Sequence, residues 1–174
     1  MQSRAKILGH AVHPMLVSFP LGLLATAVVF DIVYLITDRP GFSVSAAYTI
    51  AVGVIGGAAA ALFGWIDWFA IPPDTRAKRL GLLHGLGNAV VLVLFAVSWL
   101  LRAYAGDWEA TAPAVVCGFV GVVIAGVTAW MGGELVERLG VGVDSQADLD
   151  APSSLTHRQA SARRRPAAGW RSDP

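Results

Sequence analysis

Few residues in this chain have side chains able to do chemistry, and those that do sit beside apolar stretches: His10, His13, Asp67, His84, Asn88 and Glu134. Imidazole and carboxylate together can bind a divalent metal or relay a proton, and two imidazoles can supply both axial ligands of a haem b. His13 and His84 are therefore candidate haem ligands. Asp67 and Glu134 are candidates to complete a metal site, with His10 and Asn88 as supporting polar groups. Each also has a plainer role. His10 and His13 can cap a helix mouth, Asp67 can pair with Arg76 or Arg79, Asn88 can bond a facing helix, and Glu134 can lie in water. The residue before a proline is pushed out of helical geometry, so His13, ahead of Pro14, is expected as the N-cap of the first helix. Asp67 is expected to pair with His84. Against haem, both histidines fall at one membrane edge, whereas a haem in a bundle needs two rings facing across an apolar slot.

The elements that position these residues are four apolar segments, spanning 14–36, 44–70, 82–104 and 113–134. Of 174 residues 55% are hydrophobic and only 14% charged, and the mean hydropathy is +0.60. Soluble domains carry about 25% charge, so this is a membrane composition. Each segment reaches the roughly 20 residues needed to cross a bilayer. The expected fold is all-α: an integral membrane antiparallel four-helix bundle over residues 1–143, followed by a disordered, basic tail over 144–174. Alternating directions bring His13, Asp67, His84, Asn88 and Glu134 to one depth. Asp31 falls near the opposite interface, where Arg102 or Arg39 can neutralise it.

Arg4, Lys6, Arg76, Lys78, Arg79 and Arg138 cluster at the ends and in the second loop, which places both termini in the cytoplasm and the chain in the plasma or inner membrane. A cleaved signal peptide competes at the N-terminus, but apolar chain continues to Ile36, too far for a typical signal core. Stripes of small residues, Gly53-Gly57-Ala61 and Gly121-Ala125-Ala129, with Gly81 and Gly85 bracketing His84, predict close helix packing. The tail arginines are either solvated or laid against anionic lipid. A net charge of +1 implies no nucleic-acid partner, and the single Cys117 forms no internal disulfide. With no nucleophile elbow, phosphate loop or HExxH helix, independent hydrolytic activity is not expected.

His13-Pro14-Met15-Leu16-Val17-Ser18-Phe19-Pro20, Gly64-Trp65-Ile66-Asp67-Trp68, Leu83-His84-Gly85-Leu86-Gly87-Asn88 and Gly132-Gly133-Glu134-Leu135-Val136 occur in this order. They resemble the signatures of a family of predicted four-helix bacterial membrane proteins of unknown function, with an HPxxVxFP start and a GGxLV end. Relatives are sometimes fused to a Rieske domain, which implies a redox setting. With one cysteine this chain cannot itself build a Rieske site, and Ser18 stands where the family has a second histidine-like position. Three roles follow. The first is a redox-associated subunit binding haem b or a divalent metal and meeting a membrane redox partner. The second is a structural or assembly partner, or a homo-oligomer, without its own cofactor. The third is a small proton-linked transporter, against which the lack of an internal repeat counts.

Overall fold

A chain in hydrocarbon must satisfy its backbone hydrogen bonds internally, and each apolar segment does so as one long helix. The computed structural model describes residues 1–155. Helix α1 runs Val12–Thr37, α2 Pro40–Ala70, α3 Arg76–Ala105 and α4 Ala112–Gly133, the last continuing as a π-helical turn over Glu134–Arg138. All four are long and apolar enough to cross a bilayer. The arginines of the tail, Arg158 to Arg171, lie outside the described residues.

Local chemistry sets the helix ends. Asp38 adopts a left-handed φ of 53° and its N–H donates to the Tyr34 carbonyl at 2.8 Å, after which Pro40 starts α2. Thr75 caps α3 by accepting from the Lys78 N–H at 3.1 Å. These short connections force neighbouring helices antiparallel. α1 packs most extensively on α2 and α3 on α4, and the two pairs meet along α2–α3 and α1–α4. α1 and α3 therefore stand diagonally opposite and run parallel. The core between them contains Leu24, Ala27, Ile50, Val91 and Phe95. The outer surface is also apolar, with Ile55, Leu62, Phe69 and Val123 exposed, which suits lipid contact and would not suit water.

Near one end of the bundle Asp31 of α1 and Arg102 of α3 form an ion pair at 2.7 Å, with side-chain exposures of 1% and 0%. Arg102 also reaches Ser43 of α2 at 3.5 Å, and the Ser43 hydroxyl donates to the Trp108 carbonyl in the α3–α4 connection. Arg102, not Arg39, is thus the cation that neutralises Asp31. It can do so because both side chains point into the bundle.

At the other end residues 1–11 fold back as a strap. Strands β1 (Lys6–Ile7) and β2 (His10–Ala11) form a two-stranded antiparallel hairpin. Its two-residue loop, Leu8-Gly9, has φ positive at both positions, the pattern of a type I′ turn. The Val12 N–H donates to Ala5 O at 2.9 Å, so the strap satisfies a donor in the first turn of α1. This overturns the expectation that His13 is the N-cap. The cap position is Ala11, and His13 lies inside the first turn.

Candidate functional site

His13 and Asp31 are eighteen residues apart on α1, and His84 and Arg102 are eighteen apart on α3. At 3.6 residues per turn this is five whole turns. Each helix therefore carries its histidine and its charged residue on one face, separated by about 27 Å. Because the Asp31–Arg102 pair turns these faces toward each other, the histidines also meet. Their rings lie 6.4 Å apart, centre to centre, with planes at 89°. The two positions share one end of the bundle and still face each other across it.

Each ring is held from behind by the neighbouring helix of its own pair. His13 Nδ1 lies 2.9 Å from Ala60 O of α2, and His84 Nδ1 lies 2.8 Å from Thr128 O of α4. A carbonyl accepts only from N–H, so both neutral rings carry the proton on Nδ1 and keep the lone pair on Nε2. Asn88, one turn beyond His84, sits 3.2 Å from its Nε2 and 3.5 Å from its Nδ1. A donor on the Nε2 lone-pair axis would be much farther from Nδ1 than from Nε2, so Asn88 packs on the ring and leaves that axis open. Asn88 instead donates to the His84 carbonyl at 2.9 Å and accepts from the Thr128 hydroxyl at 3.0 Å.

Glycines give the rings their seats. A Cβ at Gly64 would stand 3.0 Å from His13 Cε1, and one at Gly132 would stand 3.2 Å from His84 Cε1. The glycines bracketing His84 make room for tryptophans of α2: Gly81 faces Trp68 and Gly85 faces Trp65. Other glycines serve helix packing, as Gly121 does under Phe95. Between the rings and the core lies a mainly apolar cavity of about 240 Å³, bounded by His13, His84, Trp65, Leu92 and Phe95.

Of the remaining candidates Asp67 also lines this cavity, but each bonds other groups. Asp67 does not pair with His84. Among the described residues its partners are Ser3 and the N–H groups of Arg4 and Ala5 in the strap, which offer it donors that the neighbouring helices do not. Glu134 bonds Arg76 at 2.8 Å. His10 is exposed on β2, with Nδ1 3.2 Å from Leu8 O. Among the described residues no three His, Cys, Asp or Glu side chains converge as a metal site, so Asp67 and Glu134 do not join the histidines. Thr128, Gly64 and Gly132 were missed by sequence reasoning. The signal that finds the geometry is the shared eighteen-residue interval.

A family model described as "Predicted membrane protein (DUF2231)" matches residues 9–145. No curated protein and no solved structure matches the chain.

Proposed function

The chain belongs to the DUF2231 family of predicted membrane proteins, and we propose from the geometry of its histidines that this multi-pass protein is a redox-associated subunit holding one haem b between His13 and His84. The observation that carries the proposal is the ring spacing. With metal–imidazole bonds of about 2 Å, two imidazoles on opposite sides of one metal ion have their centres roughly 6 Å apart. The histidine rings stand 6.4 Å apart.

The surroundings fit the same group. Histidines that ligate metals usually donate their other N–H to a carbonyl, as both rings do here. The adjoining cavity is apolar, as a macrocycle requires, and lies between helices of a bundle. When bound, haem b supplies one-electron transfer. The chain's own part is to present two Nε2 lone pairs, fix both tautomers through Ala60 and Thr128, and exclude water with Trp65, Leu92 and Phe95. Arg76, Lys78, Arg79 and Arg138 all lie at the histidine end, which supports placing that end and both termini on the cytoplasmic side of the cell membrane.

The test is an absorption spectrum of the protein in mild detergent, oxidised and dithionite-reduced. The expected result is a Soret band that shifts on reduction and is lost or becomes high-spin in His13→Ala and in His84→Ala. Glu134→Gln should leave the band in place, because Glu134 bonds Arg76 and does not line the cavity. A featureless spectrum after haem is supplied sinks the proposal. One observation favours a second reading, an assembly subunit without a cofactor: both rings already bridge helices through carbonyls. There the histidine variants lower stability in detergent and no pigment is ever bound.

A further inference from the structure

Asp67 lies in the last turn of α2, and among the described residues its carboxylate is met by three groups of the strap. Ser3 Oγ stands 2.8 Å from both carboxylate oxygens, and the N–H groups of Arg4 and Ala5 donate to Oδ1 at 2.8 and 3.4 Å. Ser3 is buried. A carboxylate accepts from all three; an asparagine would keep its oxygen for Arg4 and Ala5 and donate its NH2 to Ser3 Oγ, whose own proton then goes to Ala5 O at 3.0 Å, so that replacement removes the charge more than the bonding pattern. The bonds are also charge-assisted.

The strap carries this anchor directly to the histidine. Ala5, whose N–H is held by Asp67, accepts from the Val12 N–H at 2.9 Å, and Val12 precedes His13. On α2, Ala60, Gly64 and Asp67 are spaced i, i+4, i+7 and so form one stripe. Ala60 takes the His13 Nδ1 proton, Gly64 seats the ring, and Asp67 ties down the chain that enters α1. The strap's other side is clasped as well. The Met1 ammonium donates to Gly140 O at 2.9 Å and the Gly142 N–H donates to Met1 O at 2.8 Å.

We infer that Asp67 is a positioning residue for His13: its carboxylate latches residues 3–5, which set the first turn of α1 and hold the imidazole in ligating register. The inference rests on the haem proposal for its functional consequence, but the latch itself can be measured without haem.

Amide hydrogen exchange on the full chain in detergent reads the latch. Asp67→Ala is expected to raise exchange at Arg4, Ala5 and Val12 by about tenfold or more, the loss expected for hydrogen bonds to a charged acceptor, with α3 and α4 unchanged. Transfer of haem from the loaded protein to excess apomyoglobin reads the consequence, and its rate is expected to rise about tenfold or more. Asp67→Asn, which keeps an acceptor for the Arg4 and Ala5 N–H groups and loses the charge, is expected to raise both readouts less than Asp67→Ala does. If Asp67→Ala does not fold, Asp67→Asn and Ser3→Ala carry both measurements. Unchanged exchange in the variants overturns the latch. Raised exchange in Asp67→Ala with an unchanged haem-transfer rate overturns the positioning role. A chain that takes up no haem defeats the proposed function and with it the positioning role, and the exchange experiment then still decides the latch.

Discussion

Replacing Arg102 by methionine tests how the bundle is held at the end remote from the histidines. The guanidinium is fully buried and bonds Asp31 at 2.7 Å, and Asp31 is itself only 1% exposed. Without Arg102 the carboxylate has no cation beside it among the described residues. It must remain charged in an apolar interior or take up a proton at a cost. Breaking one side of such a pair destabilises by about 3–5 kcal/mol, whereas an exposed pair contributes about 0–1 kcal/mol. At about 1.4 kcal/mol per power of ten, Arg102→Met should raise the unfolded-to-folded ratio by roughly two to three and a half powers of ten. Replacing both partners, Asp31→Leu with Arg102→Met, removes the stranded charge, and most of the loss should disappear. The assay is reversible unfolding in mixed detergent micelles followed by helix content, for wild type, both single variants and the double variant. A cost below about 1 kcal/mol for Arg102→Met would refute the claim that the pair is desolvated. A double variant as unstable as the single would show that lost packing, not an unpaired charge, sets the cost.

Three further outcomes follow from the same geometry. Asp31 Oδ1 and Arg102 Nε are buried without a hydrogen-bond partner among the described residues, so an experimental density map fine enough to resolve solvent should place one water bridging them, because leaving both unmet costs about 1–3 kcal/mol each; direct contact between the two atoms would refute this. Gly64→Ala and Gly132→Ala, whose new Cβ atoms would meet the histidine rings at 3.0 and 3.2 Å, should weaken haem retention, while Gly126→Ala, with nothing within 4 Å, should not; equal retention in all three would show that the glycines are not ring seats. The Gln146 N–H, aided by Lys6, holds the Asp144 carboxyl below its ordinary range. A depressed value stabilises the folded state above the unfolded pKa of about 3.9 and is lost as pH falls through the folded value. The clasp from Asp144 to Gln2 and Lys6 should therefore persist at neutral pH and loosen only in strong acid, read by amide exchange at residues 1–6 with Asp144→Asn as the control.

The four helices were legible because hydrocarbon allows a chain of this composition little else, and the common depth of the polar residues follows from alternating helix direction alone. Partners were harder to read. Asp31 and Arg102 could be matched, since a charge deep in a span needs an opposite one and few were in reach. Asp67 could not, because its partners are a serine and two backbone amides in a polar lead-in whose strands, two residues each, are too short to show any alternation. Its expected pairing with His84 assumed that residues near in depth must bond each other; both line the cavity, but Asp67 is taken by the strap and His84 by the Thr128 carbonyl. The cap assigned to His13 failed for a related reason. Local rules place a residue before proline outside the helix, but the folded strap supplies the hydrogen bond that lets α1 begin earlier, at Val12.

Taken together, the two eighteen-residue intervals explain why the histidines meet. Short loops determine how α1 sits on α2 and how α3 sits on α4, but neither loop relates α1 to α3, which lie across the diagonal. That relation is set by side chains crossing the centre. One crossing is the Asp31–Arg102 pair, closed by a direct bond. Five turns away on both helices, beyond the apolar core and on the same face, are His13 and His84, pinned from behind by Ala60 and Thr128 and separated by a gap about as wide as a shared metal ion needs. A pair of histidines that served only to fix helix register could bond across the centre, as the ion pair does. These two are instead bonded outward, each to the other helix of its own pair. That contrast between a closed crossing and an open one, on the same two helices, is the strongest physical reason to look for a ligand between the rings.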